Sequence, residues 1–389
     1  MVTSTSKIRL LTYHHIPNNG AFLFAHSLLN LLQKEFPSAD IETLDYRTRR
    51  LAAYEFMKRF KPLKGIPRFY DIRARLWNRE MQGHLPLDTN LPHWANIKSL
   101  QQFFAREYTA VVTGMDVWCI IKGTQRPALP NIYWLPEKTS LLKIAYSVSA
   151  YHSNPQLISQ VADQISNNLD GFEIIGARDH FTFDMVHKYR QRKSGLVDLI
   201  PDPTFTYELK HTGVVDKLAS LGVDLTQPML GLLFYGDDRL SNEIQAHYHA
   251  KGYQILALGM YNPAADFNLG HLLTPFEWAD AFRLLNFCIS DRFHGTVFCL
   301  KNNTPVICLE KEQYLPSQQS KIFDLLSSFG LQHCYHNPAD TDFNSARFLS
   351  LADELEKAWQ TYFAPDISEN IARKQQLLAD FTQKIKTHM

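Results

Sequence analysis

Short apolar runs recur along this chain, separated by stretches with helical periodicity. That alternation is its strongest constraint, because it builds parallel sheets covered by helices on both faces. In the first half the runs fall at residues 8–16, 41–46, 108–114, 144–150 and 172–176. Residues 22–35 carry Leu28, Leu29 and Leu32 on one helical face, which can lie against the first strand and gives a β-then-α opening. After Asp202-Pro203 the pattern restarts at residues 229–235, 253–259, 287–290 and 304–309. A length of 389 residues is two to three times the usual domain size of about 150, so two cores are expected. Pro201, Pro203 and the polar residues 190–194 interrupt the periodicity and put the boundary near 195–210. The expected fold class is α/β: two doubly wound Rossmann-like domains, residues 1–200 and 201–365. A helix over 366–389 follows, with Ile371, Leu377, Leu378, Phe381 and Ile385 at helical spacing, and it can cross back to the first domain.

Composition removes several function classes. Forty basic residues balance 39 acidic ones, so there is no overall attraction to nucleic acid or membrane, and any anion site is local. The polar first seven residues lack the apolar core of a signal peptide, and no stretch approaches the length of a spanning helix. The five cysteines show no CxxC pair. The reading is buried reduced thiols in a cytoplasmic protein rather than a disulfide framework or zinc knuckle. Neither a G-x-G-x-x-G nor a P-loop signature is present, so no dinucleotide or P-loop cofactor is expected.

One region, residues 47–80, is locally basic, with Arg49, Arg50, Lys58, Arg59, Lys61, Lys64, Arg68, Arg73 and Arg75. It reads as a helical insert of the first domain. Either it is a solvated face with Leu51, Phe56 and Phe60 turned inward, or it docks an anionic glycan or the phosphates of a lipid-linked acceptor at a membrane face.

The chemistry concentrates at Phe287-Cys288-Ile289-Ser290-Asp291-Arg292-Phe293-His294-Gly295-Thr296, an apolar strand that passes through Arg292 and His294 into a helix. In open α/β sheets ligands bind outside the carboxyl ends of strands, and a helix start there offers N–H groups to an anion. Arg292, His294 and that helix start can converge on a phosphate or carboxylate. The alternative is an arginine paired to a local acid and a histidine bonded to a carbonyl. His14 and His15 close the first strand; with no third ligand at suitable spacing they read as turn or rim histidines, and no metal site is expected.

These residues resemble the polysaccharide pyruvyl transferase family, which ends a C-terminal strand with Ser-x-Arg-x-His-Gly, then an apolar helix and a Pro-Val strand. Ser290, Arg292, His294, Gly295 and Thr304-Pro305-Val306-Ile307 follow that order. Pro275 to Asp280 and Lys321 to Leu326 are similar to the family's flanking helices. In the first half, Asn18-Asn19-Gly20-Ala21 is similar to its Asn-x-Gly loop, and Gly114-Met115-Asp116-Val117-Trp118 to its Gly-Ser-Asp-x-x-Trp element, one residue shorter. Residues 144–149 match its next strand, but Ala150-Tyr151 stands where a glycine is expected. Ile175-Gly176-Ala177-Arg178-Asp179 and Asp202-Pro203-Thr204 resemble its arginine-acid pair and its turn.

The resemblance implies a GT-B-like pair of domains facing a cleft, and pyruvyl transfer from phosphoenolpyruvate onto two hydroxyls of a sugar in a surface glycan. It implies Arg178 and Arg292 as donor cations, since guanidinium forks suit carboxylate and phosphate. His294 is implied as general acid and Asp116 as general base, or else as a helix cap. Asn19, Gly20, Ser290, Gly295, Thr296 and Lys321 complete the implied substrate-binding set. Phosphoenolpyruvate is then a co-substrate, and the other partner is a sugar or lipid-linked glycan, with peripheral contact at the inner membrane face left open. Two alternatives stand beside this: a GT-B glycosyltransferase using a nucleotide sugar, and a non-catalytic glycan-binding or assembly protein.

Overall fold

The computed structural model describes residues 6–47, 49–61, 68–91, 96–120, 129, 131–136, 138–234, 238–310 and 319–388. The chain forms two compact units. One comprises Met1–Met57, Met81–Tyr207 and Lys374–Met389; the other comprises Lys58–Glu80 and Glu208–Arg373.

The first unit is built on a seven-stranded parallel sheet of β1 (Lys7–Leu11), β2 (Asp40–Leu44), β3 (Leu87–Asp88), β4 (Ala110–Met115), β5 (Leu142–Val148), β6 (Ile174–Ala177) and β7 (Leu196–Leu199), in the order β3-β2-β1-β4-β5-β6-β7. The central strands are buried almost completely, as a sheet covered on both faces requires. The helix Asn19–Glu35 starts where the Asn18 side chain accepts from the Ala21 N–H, a cap worth about 1 kcal/mol. It buries Leu28, Leu29 and Leu32. Its sequence-predicted strand partner is shorter than residues 8–16: β1 ends at Leu11, and Tyr13 to Pro17 turn above the sheet.

The second unit carries a six-stranded parallel sheet of β8 (Met229–Leu233), β9 (Gln254–Ala257), β10 (Phe267–Asn268), β11 (Phe287–Ser290), β12 (Val306–Leu309) and β13 (Tyr335–His336), in the order β10-β9-β8-β11-β12-β13. The helix Pro275–Ala281 explains the Pro-Phe-Glu-Trp segment locally. Thr274 and Glu277 form a reciprocal capping box with proline in the first turn, and Trp278 Nε1 donates to the Leu258 carbonyl at 2.9 Å. All five cysteines are buried as free thiols.

The basic insert needs a correction. Residues 58–80 cluster with the second unit rather than the first, because fully buried Phe69 packs 4.8 Å from the His271 ring and Arg73 reaches the Met260 sulfur at 3.4 Å. Phe56 and Phe60, expected to face inward, are exposed. Arg68 and Arg75 share Asp71, and Arg79 pairs with Glu80, so part of the basic charge is met locally. The Lys64 position lies outside the described residues. In the final helix, Ala364–Lys386, residues Leu378, Phe381 and Ile385 are buried as their spacing predicts, whereas Leu377 is exposed.

Candidate active site

In each sheet the strand order reverses once, and in such sheets the connections leaving the two flanking strands run to opposite sides, which makes a crevice outside their carboxyl ends. In the second unit the reversal lies between β8 and β11, and the Ser-x-Arg-x-His-Gly segment leaves β11 there. Fully buried Ser290 accepts from the Arg292 N–H at 3.0 Å through its hydroxyl, and buried Thr296 Oγ1 donates to the Arg292 carbonyl at 3.1 Å. These bonds pin the turn that carries Arg292. Gly295 has the same office: a Cβ there would lie 2.8 Å from both Ser290 Oγ and Leu233 Cδ2. Gly295→Ala is therefore expected to cost about 1–3 kcal/mol through overpacking, read as a lower midpoint in urea denaturation.

With the turn held from beneath, the Arg292 side chain is 53% exposed and ion-paired to Asp291 at 2.7 Å. His294 lies in the first turn of the helix Phe293–Lys301, half-buried, its ring edge-on to Phe293 at 5.4 Å. Lys321 opens the helix Lys321–Ser327, buried, with Nζ 5.9 Å from the Phe293 ring centroid. Phe293 thus lies next to both Arg292 and His294 in the chain and against Lys321 in space, a role that sequence reading did not assign to it.

In the first unit the reversal lies between β1 and β4. The backbone is unusual there: Met115 at the end of β4 has φ 79°, and Ser147 near the end of β5 has φ 52°, each where the β4–β5–β6 register shifts. Non-glycine residues in such conformations carry strain and concentrate at functional sites. Gly114 is required by close approach, since a Cβ would lie 2.6 Å from the Tyr146 carbonyl oxygen of the neighbouring strand.

Arg178, expected to hold the donor, is committed within this unit. Its side chain is 1% exposed, with one guanidinium nitrogen 3.0 Å from Asp202 Oδ2 and another on Asp116 Oδ1. Asp202 also accepts from the Thr204 N–H and hydroxyl, which is the turn role read from Asp-Pro-Thr. Asp116 begins a short 3-10 turn rather than capping a long helix, and stays 17% exposed. Buried Asp179 caps the helix His180–Tyr189 and accepts from Ser149 and Thr182; burial raises its carboxyl despite those bonds. Asn19 and Gly20 are buried in the first helical turn, and the capping side chain is that of Asn18.

His14 and His15, read as turn or rim histidines, lie in the turn after β1 and are buried, so they are not at a rim. His14 Nδ1 lies 3.3 Å from the Thr12 carbonyl and its Nε2 3.5 Å from Asp45. Burial would raise the Asp45 carboxyl, but hydrogen bonds from His14 and Arg47 hold it well below the carboxylate range. His15 is pushed down to about 3 by burial, His14 and Arg47. Unfolded, it binds a proton near 6.5; folded, only near 3. Between these pH values the unfolded chain holds the extra proton, so stability falls as pH decreases, by up to about 1.4 kcal/mol per pH unit from this group. His15→Phe should flatten that part of the acid dependence in urea titrations at pH 7 and pH 5. Equal slopes in both proteins would refute the assignment. Among the described residues no group of three His, Cys, Asp or Glu side chains is arranged to hold a metal ion.

The chain belongs to the polysaccharide pyruvyl transferase family, whose model matches residues 18–311. The folds of three solved structures are similar over nearly the whole chain. They are the S. aureus MnaA–UDP co-structure (9% identity, 94% of this chain and 92% of that one, TM-score 0.54), the Neisseria meningitidis UDP-GlcNAc 2-epimerase bound to UDP-GlcNAc (9%, 98% and 99%, 0.52) and the Methanocaldococcus jannaschii UDP-GlcNAc 2-epimerase in complex with UDP-GlcNAc and UDP (12%, 96% and 99%, 0.52). At such identities the likeness is one of fold, and the fold class is GT-B-like. No curated protein matches the chain. Among the described residues no helix is long and apolar enough to cross a membrane.

Proposed function

We propose that this protein moves the pyruvyl group of phosphoenolpyruvate onto two hydroxyls of a glycan sugar, forming a cyclic ketal and releasing phosphate. The observation that carries the reading is the β11 turn, where an exposed Arg292 and a half-buried His294 stand at the sheet's reversal over a helix N-terminus. That arrangement suits a small dianion, and family membership supports the same donor class.

In this reading Arg292 and the helix start bind the donor's anionic groups, with Lys321 and Phe293 behind them. His294 gives a proton to the donor's methylene carbon, which becomes a methyl group and leaves the adjacent carbon electrophilic. One sugar hydroxyl adds to that carbon and loses its proton to a base, for which Asp116 is the proposed group. The second hydroxyl then displaces phosphate, and its proton leaves with the phosphate. Arg178 acts indirectly, fixing Asp116 through their ion pair. The reaction belongs on the cytoplasmic side, where phosphoenolpyruvate is made, with a free or lipid-linked acceptor.

The test is incubation with phosphoenolpyruvate and a panel of sugars, with phosphate release and a ketal product as the expected result. Parallel reactions carry UDP-sugars. UDP release with no phosphate from phosphoenolpyruvate would replace this reading by glycosyl transfer.

A further inference from the structure

The second unit holds a cavity of about 450 Å³ that the proposed reaction leaves unused, within the roughly 300–1,000 Å³ of small-ligand sites. It is lined by the loop that leaves β13, the edge strand of the sheet, and by the first two turns of the helix Ser345–Tyr362. The strand β12 separates β13 from β11, so the cavity stands apart from the turn that carries Arg292.

The loop is held by its own backbone. Asn337 Oδ1 accepts from the Ala339 N–H at 3.0 Å, and the Asn337 and Asp340 carbonyls accept from the Asp340 and Phe343 N–H groups at 3.0 and 3.1 Å. Half-buried Phe323 and Phe343 supply ring surface to the wall, backed by Tyr335 at 5.6 Å and Phe348 at 5.9 Å. Asp340, Asp342 and Arg347 line the same cavity and are exposed, and their side chains have no hydrogen bond or ion pair among the described residues. His336, also in the lining, bonds the His333 carbonyl through its ring, while its buried Nε2 has no hydrogen-bond partner among the described residues. A carbonyl only accepts, so the bonded nitrogen carries the proton and Nε2 of the neutral ring is an acceptor. Burial lowers the ring's proton affinity despite that bond, and the His333 ring and Arg347 act in the same direction.

The charges decide the class of ligand. Two carboxylates against one guanidinium, beside a neutral imidazole, give a phosphate or a nucleotide no net attraction. A hydroxyl both donates and accepts, so carboxylates, a guanidinium and an imidazole acceptor all match it, and the apolar face of a sugar ring packs on aromatic surface. We infer that this cavity binds a neutral saccharide, its ring against the aromatic wall, one hydroxyl donating to His336 Nε2 and others bonded by Asp340, Asp342 and Arg347. The saccharide site stands on these residues alone. Its place in the reaction rests on the pyruvyl-transfer reading: there it holds a part of the acceptor glycan other than the sugar that receives the ketal.

The experiment follows the ring nitrogens of the full chain, labelled with 15N-histidine, during titration with maltotriose, cellotriose, triacetylchitotriose, methyl galactoside and methyl mannoside and, separately, UMP and phosphoenolpyruvate. His336→Gln assigns the resonances. At least one saccharide should shift the His336 signals, while UMP and phosphoenolpyruvate do not. Asp342→Ala with Arg347→Ala, both at exposed positions, should raise the saccharide Kd at least about tenfold, the loss expected for two hydrogen-bonding groups. His294→Ala should leave that Kd within twofold, which separates the cavity from the β11 turn. In turnover the same double variant should raise the KM of a trisaccharide acceptor, with the phosphoenolpyruvate KM within twofold. A His336 shift with saccharide in a protein that releases no phosphate from phosphoenolpyruvate would reject pyruvyl transfer and leave the saccharide site standing. No His336 shift with any saccharide, a shift with UMP or phosphoenolpyruvate in their place, or an unchanged saccharide Kd in the folded double variant would overturn the inference.

Discussion

Arg178→Ala should destabilise the first unit by about 3–5 kcal/mol, the typical cost of breaking a buried ion pair from one side. The guanidinium meets Asp202, whose side chain is fully buried, and Asp116. Removing it leaves at least one interior carboxylate uncompensated. Because two-unit proteins seldom unfold in one step, the readout has to be local. The stacked pair Trp118 and Trp134, 4.6 Å apart in the same unit, is suited to fluorescence-detected urea denaturation. Arg178→Met with Asp116→Leu should recover only part of the loss in this triad, because Asp202 has to stay to accept from the Thr204 N–H and hydroxyl and is then unpaired. If Arg178→Ala matched the parent protein in stability, the triad would have no structural role, and the arginine would return to the list of donor ligands.

The second large effect concerns turnover. His294→Ala is expected to lower the rate of pyruvyl transfer by roughly 100-fold to 10,000-fold, the usual contribution of a general acid, while phosphoenolpyruvate binding by calorimetry changes little. Arg292→Lys should weaken both, since a point charge replaces a fork that can hold two oxygens at once. A His294→Ala protein that keeps its turnover would remove the acid from this residue. One that loses donor affinity in proportion to rate would make His294 a binding group instead.

Much of the second unit was legible because its information is local. The apolar run 287–290, the polar turn and the helix that follows occupy a single short segment, and only the neighbouring Leu233 was needed to explain Gly295. What stayed hidden there was the direction of the hydroxyls: Ser290 and Thr296 both bond the backbone of Arg292, which no sequence pattern announces. The first unit was less legible because its site is assembled across the sheet. Arg178 finds Asp116 from 62 residues away and Asp202 from 24, separations that no local spacing reveals. The histidines lie in the turn past β1, one of the two places the sequence allowed, but their burial was not legible there, since Tyr13 beside His15 packs in turn on the distant Tyr133. The two-residue strands β3 and β10 contain too few side chains to display any alternation, so sequence periodicity passes over them.

The last helix imposes an order on synthesis. Residues 374–389 belong to the first unit, where Phe381 packs against Tyr146, the Tyr146 hydroxyl bonds to Leu378 and Thr382, and Gln375 donates to the Phe205 carbonyl. At typical translation speeds of about 5–20 residues per second, residues 208–373 take roughly ten to thirty seconds to appear. Throughout that interval the amino-terminal portion of the chain is a sheet with one covering helix still unmade, holding Tyr146, Gly176 and Ile200 open where Phe381 will later sit. The second unit also waits, since its residues 58–80 are made long before residues 208–373, but it is complete before the ribosome reaches Lys374. Of the two units, the one whose sheet is made first is therefore the one that finishes last, and a stop before residue 374 would injure a unit whose strands are already made.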